Sequence, residues 1–220
     1  LSRMKVQLAY WHRQLHALGL VVWTQGNISV RSVRNGLIYI KASGGFCENL
    51  YEHGIVWVEM DGMYDAREPR PSTDTASHLY IHNHLSGVMS VVHTHSTFAT
   101  AFACAGRDVP CCLTGMADEF GGHIPCAPYA EIGGEGIGEV VVDALGKSRA
   151  GAVLVQNHGL FAVGGSVEEA VKRAVMAEDC AKTIYHAMAL GPVMLTDKQI
   201  EDNYIRYHTK YGQPRQGEGS

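Results

Sequence analysis

Apolar residues at Met4, Leu8, Trp11, Leu15 and Leu18 recur at the three-to-four spacing of one helix face, and Gly19 offers a natural stop. After that the period shortens. Asn27–Arg31 (NISVR) and Leu37–Ile40 (LIYI) are strand-like runs separated by Asn35-Gly36, a strong hairpin dipeptide. Ile55–Met60 (IVWVEM) predicts a third strand, ended by Asp61-Gly62. A proline-flanked loop, Glu68–Pro71, hands over to Ser72-Thr73-Asp74, good capping residues for a helix running to His84. Val88–Thr94 reads as a buried strand and Ser96–Ala105 as a helix of small residues. Gly106–Gly138 is rich in glycine and proline, which predicts irregular loops of the kind that carry active sites. Glu139–Leu145 follows as a helix, and Ala152–Gln156 and Leu160–Val163 as two strands around Asn157-His158-Gly159. Ser166 to Glu169 forms a capping box opening the longest helix, which ends near Leu190 ahead of Gly191-Pro192. A last helix spans Thr196–His208.

Helices and strands interleave, but hairpins stand among the strands, so a purely parallel sheet is disfavoured. The pattern predicts an α/β sandwich around a mixed or antiparallel sheet, built as one domain over residues 1–220 with no internal repeat or linker.

Composition narrows the function classes. With 46% apolar and 18% charged residues the chain can bury a real core. The 18 basic and 22 acidic side chains give a net charge of −4 and no basic cluster, which argues against nucleic acid as a partner. No apolar run reaches the roughly 18–20 residues of a membrane helix, and no cleavable signal is visible at the N-terminus. The six cysteines include no CxxC pair, and Cys111 and Cys112 are adjacent, so reduced cytosolic thiols are expected rather than disulfides. Twelve histidines are the outlier, and they raise the question of metal binding.

His93-Thr94-His95 ends an apolar strand, where alternation puts both imidazoles on one side with Cα atoms about 6.5 Å apart. Two rings so placed can converge on one cation at about 2.0–2.1 Å each, or be two hydrogen-bonded surface histidines. His158 is a turn residue or a third ligand, with Gly159 letting the backbone reverse and aim the ring inward. Three histidines would leave an open position for substrate. Asp74 is a fourth candidate ligand, or simply a carboxylate favoured by the helix macrodipole. His78 and His82 have zinc-protease spacing, but position 79 is Leu, so the general base of that motif is missing. The other histidines have no partner spacing and are read as solvated or core residues. Gly26-Asn27, Ser43-Gly44 and Ser72-Thr73 are small-residue segments able to offer amides and hydroxyls to a phosphate, and Lys41 could add charge or be solvated. Neither a nucleotide-triphosphate loop nor a dinucleotide fingerprint is present.

Taken in order, Gly26-Asn27-Ile28-Ser29, Lys41-Ala42-Ser43-Gly44, Pro71-Ser72-Thr73-Asp74, His93-Thr94-His95-Ser96 and Asn157-His158-Gly159 resemble the class II aldolase/adducin family across nearly the whole chain. The resemblance implies a three-layer α/β/α sandwich around a mixed, mainly antiparallel sheet. It also implies a zinc-type ion (Mn2+ or Co2+ being alternatives) on His93, His95 and His158 with Asp74 in or beside its shell, and a cytoplasmic homotetramer with interfacial sites. Within the family the chain is similar to the pentulose-5-phosphate 4-epimerases. Asp74 stands where the aldolases carry a glutamate base, Asp118 maps to the epimerase catalytic aspartate, and Tyr211 in Lys210-Tyr211-Gly212-Gln213 maps to the second proton carrier. The chain departs from that pattern in having Asn203-Tyr204 for a His-Tyr pair and a shorter segment from His208 to Tyr211. The implied reaction breaks and re-forms the bond between carbons three and four of a sugar phosphate, because the hydrogen at C4 is not acidic. An aldolase, a sugar-acid phosphate decarboxylase and a non-catalytic adducin-like interaction domain are the alternatives. A two-metal hydrolase fits less well, since no Asp-His follows the HxH.

Overall fold

The structure, a computed structural model, describes residues 2–210. The N-terminal stripe forms α1 (Ser2–Ala17), which buries Leu8, Ala9, His12 and Leu15 and half-buries Met4 and Trp11. Leu18, expected on that face, is exposed. The chain reverses there, with the Leu20 N–H donating to the Leu15 carbonyl at 2.9 Å across Gly19, a left-handed C-terminal cap.

Seven strands form one sheet: β1 (Asn27–Arg31), β2 (Ile38–Lys41), β3 (Ile55–Val58), β4 (Ser90–Thr94), β5 (Cys126–Ala127), β6 (Ala152–Val155) and β7 (Gly159–Gly164). Their spatial order is β3-β2-β1-β4-β7-β6-β5, antiparallel throughout except for the parallel β5–β6 pair. The sheet is therefore mixed and mainly antiparallel, as expected. The β1–β2 hairpin exists, but Arg31 pairs with Ile38, so the connection is the longer loop 32–37 rather than a two-residue Asn-Gly turn. The Asn35 side chain explains the difference: its Oδ1 accepts from the Leu37 N–H at 3.2 Å, making a local Asx turn inside the loop.

The remaining helices are α2 (Thr75–His84), α3 (Thr97–Cys104), α4 (Thr114–Phe120), α5 (Gly136–Gly146), α6 (Val167–Ala187) and α7 (Asp197–Lys210). Strand alternation sends Ile28, Val92, Leu160 and Ala162 to one face, where α1, α3 and α6 cover them, and Val91, Phe161 and Val163 to the other, under α2 and α5. The result is three layers. In the capping box, the Ser166 hydroxyl accepts from the Glu169 N–H at 3.2 Å, while Glu169 Oε2 accepts from Gly165 N–H at 2.8 Å.

The Gly/Pro-rich stretch departs from expectation by containing α4 and β5. Neither is a strong local former. α4 is held because Met116, Ala117 and Phe120 are fully buried, and because Glu119 pairs with Lys172 at 2.7 Å and Arg173 at 3.4 Å on α6. The two residues of β5 are zipped onto β6. All six cysteines are free, and no helix among the described residues is long and apolar enough to cross a membrane.

Candidate metal centre and active site

His93 lies near the end of β4, opposite Asn27 on β1 and Phe161 on β7, and it stacks on the Phe161 ring at 4.2 Å between centroids. The Leu160 carbonyl accepts from His93 Nδ1 at 3.0 Å. That bond puts the proton of the neutral ring on Nδ1 and leaves a bare lone pair on Nε2. Burial, with the neighbouring imidazoles adding to it, holds His93 below its usual pKa, so the neutral form prevails at pH 7. Its Nε2 meets His95 Nε2 at 2.9 Å and His158 Nε2 at 3.1 Å, and the three ligand atoms lie within 4.8 Å of one another. Burial lowers the pKa of His95 and His158 as well.

Three largely neutral imidazoles converging through Nε2 form the donor set of a zinc-type ion, whose tetrahedral nitrogen ligands stand ~3.3 Å apart, and His93 Nε2 lies within a few tenths of that spacing from each of the other two. The residues present therefore fit the ion.

The turn carrying His158 works differently from the expectation. The left-handed residue is Asn157 (φ 59°), whose N–H donates to the Ala103 carbonyl of α3 at 3.2 Å. Gly159 is needed instead for clearance: a Cβ there would meet the Thr94 carbonyl at 2.5 Å, His95 Cδ2 at 3.1 Å and His93 Cε1 at 3.4 Å. Gly159→Ala is accordingly expected to spread the histidines and weaken Zn2+ binding by at least about tenfold. Equilibrium dialysis checks this, and an unchanged affinity would show the cluster to be less tightly packed than the contacts imply.

Asp74 caps α2 without a side-chain cap bond and is not among the three converging donors. Its Oδ2 accepts from Asn27 Nδ2 at 2.6 Å, and the same amide reaches Ser72 Oγ at 3.0 Å. Burial pushes the carboxyl up, but the His93 and His78 rings and the Asn27 amide outweigh it, so Asp74 is held below the usual carboxylate range. Its charge acts on all three histidines. Asp74 is thus a carboxylate beside the triad, clamped by Asn27.

The phosphate candidates come together. An isolated bridge joins Ala42 to Pro71, with the Ser43 N–H on the Arg70 carbonyl at 2.9 Å and the Ser72 N–H on the Lys41 carbonyl at 3.0 Å. That lays Ser43-Gly44 beside Ser72-Thr73, and Asn27, next to Gly26 in the chain, is tied to Ser72. Ser43, Gly44 and Thr73 are exposed. Lys41 is neither solvated nor free: its buried Nζ donates to the Thr24 and Gly45 carbonyls at 2.6 and 2.7 Å, tying two of these loops together, and burial lowers its pKa.

Asp118 stands half-buried on α4 rather than in an irregular loop, and among the described residues no hydrogen bond joins it to the histidines. Tyr211 lies outside the described residues. His12 is a core residue, with Nδ1 donating to Leu8 O at 2.7 Å and Nε2 accepting from Ile28 N–H at 3.0 Å. His78 and His82 share the Ser29 hydroxyl at 2.7 and 2.9 Å, a hydrogen-bonded core pair and not a metal motif.

A profile of the Class II Aldolase and Adducin N-terminal domain matches residues 6–185. The chain belongs to this family. Among class II aldolase relatives, the L-ribulose-5-phosphate 4-epimerase UlaF of Salmonella paratyphi C is 35% identical, over 97% of this chain and all of that protein. The structure of an L-fuculose 1-phosphate aldolase superposes with a TM-score of 0.88 at 27% identity, covering 94% of this chain and 97% of that one. L-fuculose-1-phosphate aldolase of Thermus thermophilus shares the fold at a TM-score of 0.72 and 23% identity, over 89% of this chain and 100% of that one. Membership agrees with the three-layer sandwich and with the order of the sequence motifs.

Proposed function

We propose that the protein is a metal-dependent epimerase acting at C4 of a pentulose 5-phosphate, interconverting L-ribulose 5-phosphate and D-xylulose 5-phosphate. The observation that carries this reading is the meeting of three imidazole Nε2 atoms beside a carboxylate and a cradle of small polar loops. Full-length similarity to proteins named for that reaction supports the choice of substrate.

When bound by His93, His95 and His158, a divalent ion (Zn2+, with Mn2+ or Co2+ as alternatives) supplies Lewis acidity toward the carbonyl end of the sugar. The chain's own residues do the rest. Ser43, Gly44, Ser72 and Thr73, with Gly26 and Asn27 behind them, hold the 5-phosphate through hydroxyls and amides. Breaking the bond between C3 and C4 yields a three-carbon enediolate and glycolaldehyde phosphate. The phosphate grip retains the aldehyde fragment while it rotates to present its other face. Inversion needs a proton taken from the C4 hydroxyl on one face and returned to the new C4 alkoxide on the other. Asp118 and Tyr211 are assigned as those two carriers. Among the described residues Asp118 has no link to the histidines of its own chain, so in this reading it completes the site of a neighbouring copy in a homotetramer. Six free thiols fit a cytoplasmic setting.

Incubation with L-ribulose 5-phosphate tests the assignment. D-xylulose 5-phosphate should form, should stop with chelator and should return with Zn2+. Tyr211→Phe is expected to lower turnover at least about 100-fold. Release of free glycolaldehyde phosphate with no epimer would instead make the protein an aldolase, the activity named for a structural neighbour. Full turnover by Tyr211→Phe would remove the second carrier.

A further inference from the structure

Helix α3 runs between two of the three histidines. It starts two residues after His95, and near its other end the Ala103 carbonyl accepts the Asn157 N–H, next to His158. The three rings are not equally secured. His93 sits in the β4 ladder with Nδ1 bonded to Leu160. Among the described residues, the rings of His95 and His158 have no hydrogen-bond partner outside the triad. His95 also lies beyond the last residue of β4. Their positions depend on the backbone that carries them: α3 follows closely on His95, and it braces the β6–β7 turn of His158, which the His158 N–H closes on the Val155 carbonyl at 3.0 Å.

The helix is not capped by its own N-cap residue. Ser96 makes no side-chain cap bond, and its hydroxyl is engaged by Thr94 Oγ1 at 3.3 Å. The first-turn N–H groups of Phe98 and Ala99 donate instead to Glu178 on α6, at 2.9 Å to Oε1 and 2.8 Å to Oε2. A carboxylate accepting two N–H groups at a helix N-terminus is a charge-assisted clamp with fixed geometry.

We propose that Glu178 is a positioning residue of the metal centre, whose carboxylate locks α3 to α6 and so holds His95 and His158 on His93. The proposal rests on the reading of the triad as a metal site.

Co2+ binding to the metal-stripped full chain tests it, followed by the visible d–d absorption of a tetrahedral site. Glu178→Ala should weaken Co2+ binding about tenfold, the low end of the loss caused by removing a group bonded directly to a ligand, because Glu178 acts through the α3 backbone, and should change the band shape. Glu178→Gln keeps one carbonyl acceptor and should lose less. The comparison variant is Ser166→Ala, which removes the α6 cap, should lower Tm and should leave the Co2+ dissociation constant within about twofold. Wild-type affinity and an unchanged band in Glu178→Ala would overturn the proposal, as would an equal loss of affinity in Ser166→Ala. If the alanine variant does not fold, the glutamine variant decides, and a wild-type constant and band there overturn it. A wild-type chain that binds no Co2+ would instead overturn the metal reading itself, so the two failures are distinguishable.

Discussion

His93→Ala is expected to abolish tight divalent-metal binding and to lower epimerase turnover by about a thousandfold or more. The size follows from the part assigned to the ion. Lewis-acid stabilisation of a developing enediolate is worth several kcal/mol, and each 1.36 kcal/mol is a factor of ten in rate. His93 is the member of the triad whose loss does the most damage. Its Nε2 is the atom that both other rings meet, and the Leu160 carbonyl fixes its tautomer. Removing it leaves His95 and His158 with no common partner at hydrogen-bond distance. The ring also stacks on Phe161, so His93→Gln is the companion variant, keeping bulk and a polar tip while changing the donor. Equilibrium dialysis against Zn2+, far-ultraviolet circular dichroism and the D-xylulose 5-phosphate assay separate loss of metal from loss of fold. A folded His93→Gln protein that binds Zn2+ and turns over like the parent would show that the triad is not the metal centre.

What can be read ahead of the structure follows from the range of the interactions involved. His93 and His95 are legible as a pair because strand alternation is local. His158 is legible only as a turn residue of suitable chemistry, and its convergence with the others depends on the pairing of β4 with β7, where Thr94 lies opposite Leu160. The same limit explains where expectation and structure part. α4 and β5 arise from burial of Met116 and Phe120 and from pairing with β6, neither of which leaves a trace in a Gly- and Pro-rich segment. Lys41 looks like a free charge because nothing nearby in sequence shows that the Thr24 carbonyl will meet it. Gly159 stands out as a turn glycine, yet the need for it lies elsewhere. Its neighbours are the Thr94 carbonyl and two imidazoles, all from another strand or just beyond it. Glu178 has no local signature at all, since its partners lie 79 and 80 residues away.

Acid is expected to unfold the protein early, with stability falling by about 4 kcal/mol between pH 8 and pH 5 from two core histidines alone. Burial lowers the pKa of His12 to about 3, and burial likewise lowers that of His82 to about 3, against 6.5 in the unfolded chain. The sign follows from proton counting. Well above pH 6.5 both states hold these rings neutral and stability does not depend on them. Below it the unfolded chain takes up two protons that the folded chain refuses, so stability drops as pH falls from 6.5 toward 3. Each group then contributes about 1.4 kcal/mol per pH unit, and the loss by pH 5 is comparable to the total stability of about 5–15 kcal/mol of an ordinary domain. The fold requires the neutral rings for a structural reason. His12 Nε2 must accept from the Ile28 N–H of β1, and a protonated ring has no lone pair with which to do so. Likewise His82 is wedged between the Ser29 hydroxyl and the Val88 carbonyl, with no carboxylate among its hydrogen-bond partners. Urea unfolding of the metal-free chain at pH 8, 7, 6 and 5 gives the slope directly. His82→Gln should be less stable at pH 8 yet less sensitive to acid, with the slope below pH 6.5 reduced by about 1.4 kcal/mol per unit. A stability that is level from pH 7 to pH 5, or a His82→Gln slope equal to the parent's, would mean that these rings accept protons without unfolding the chain.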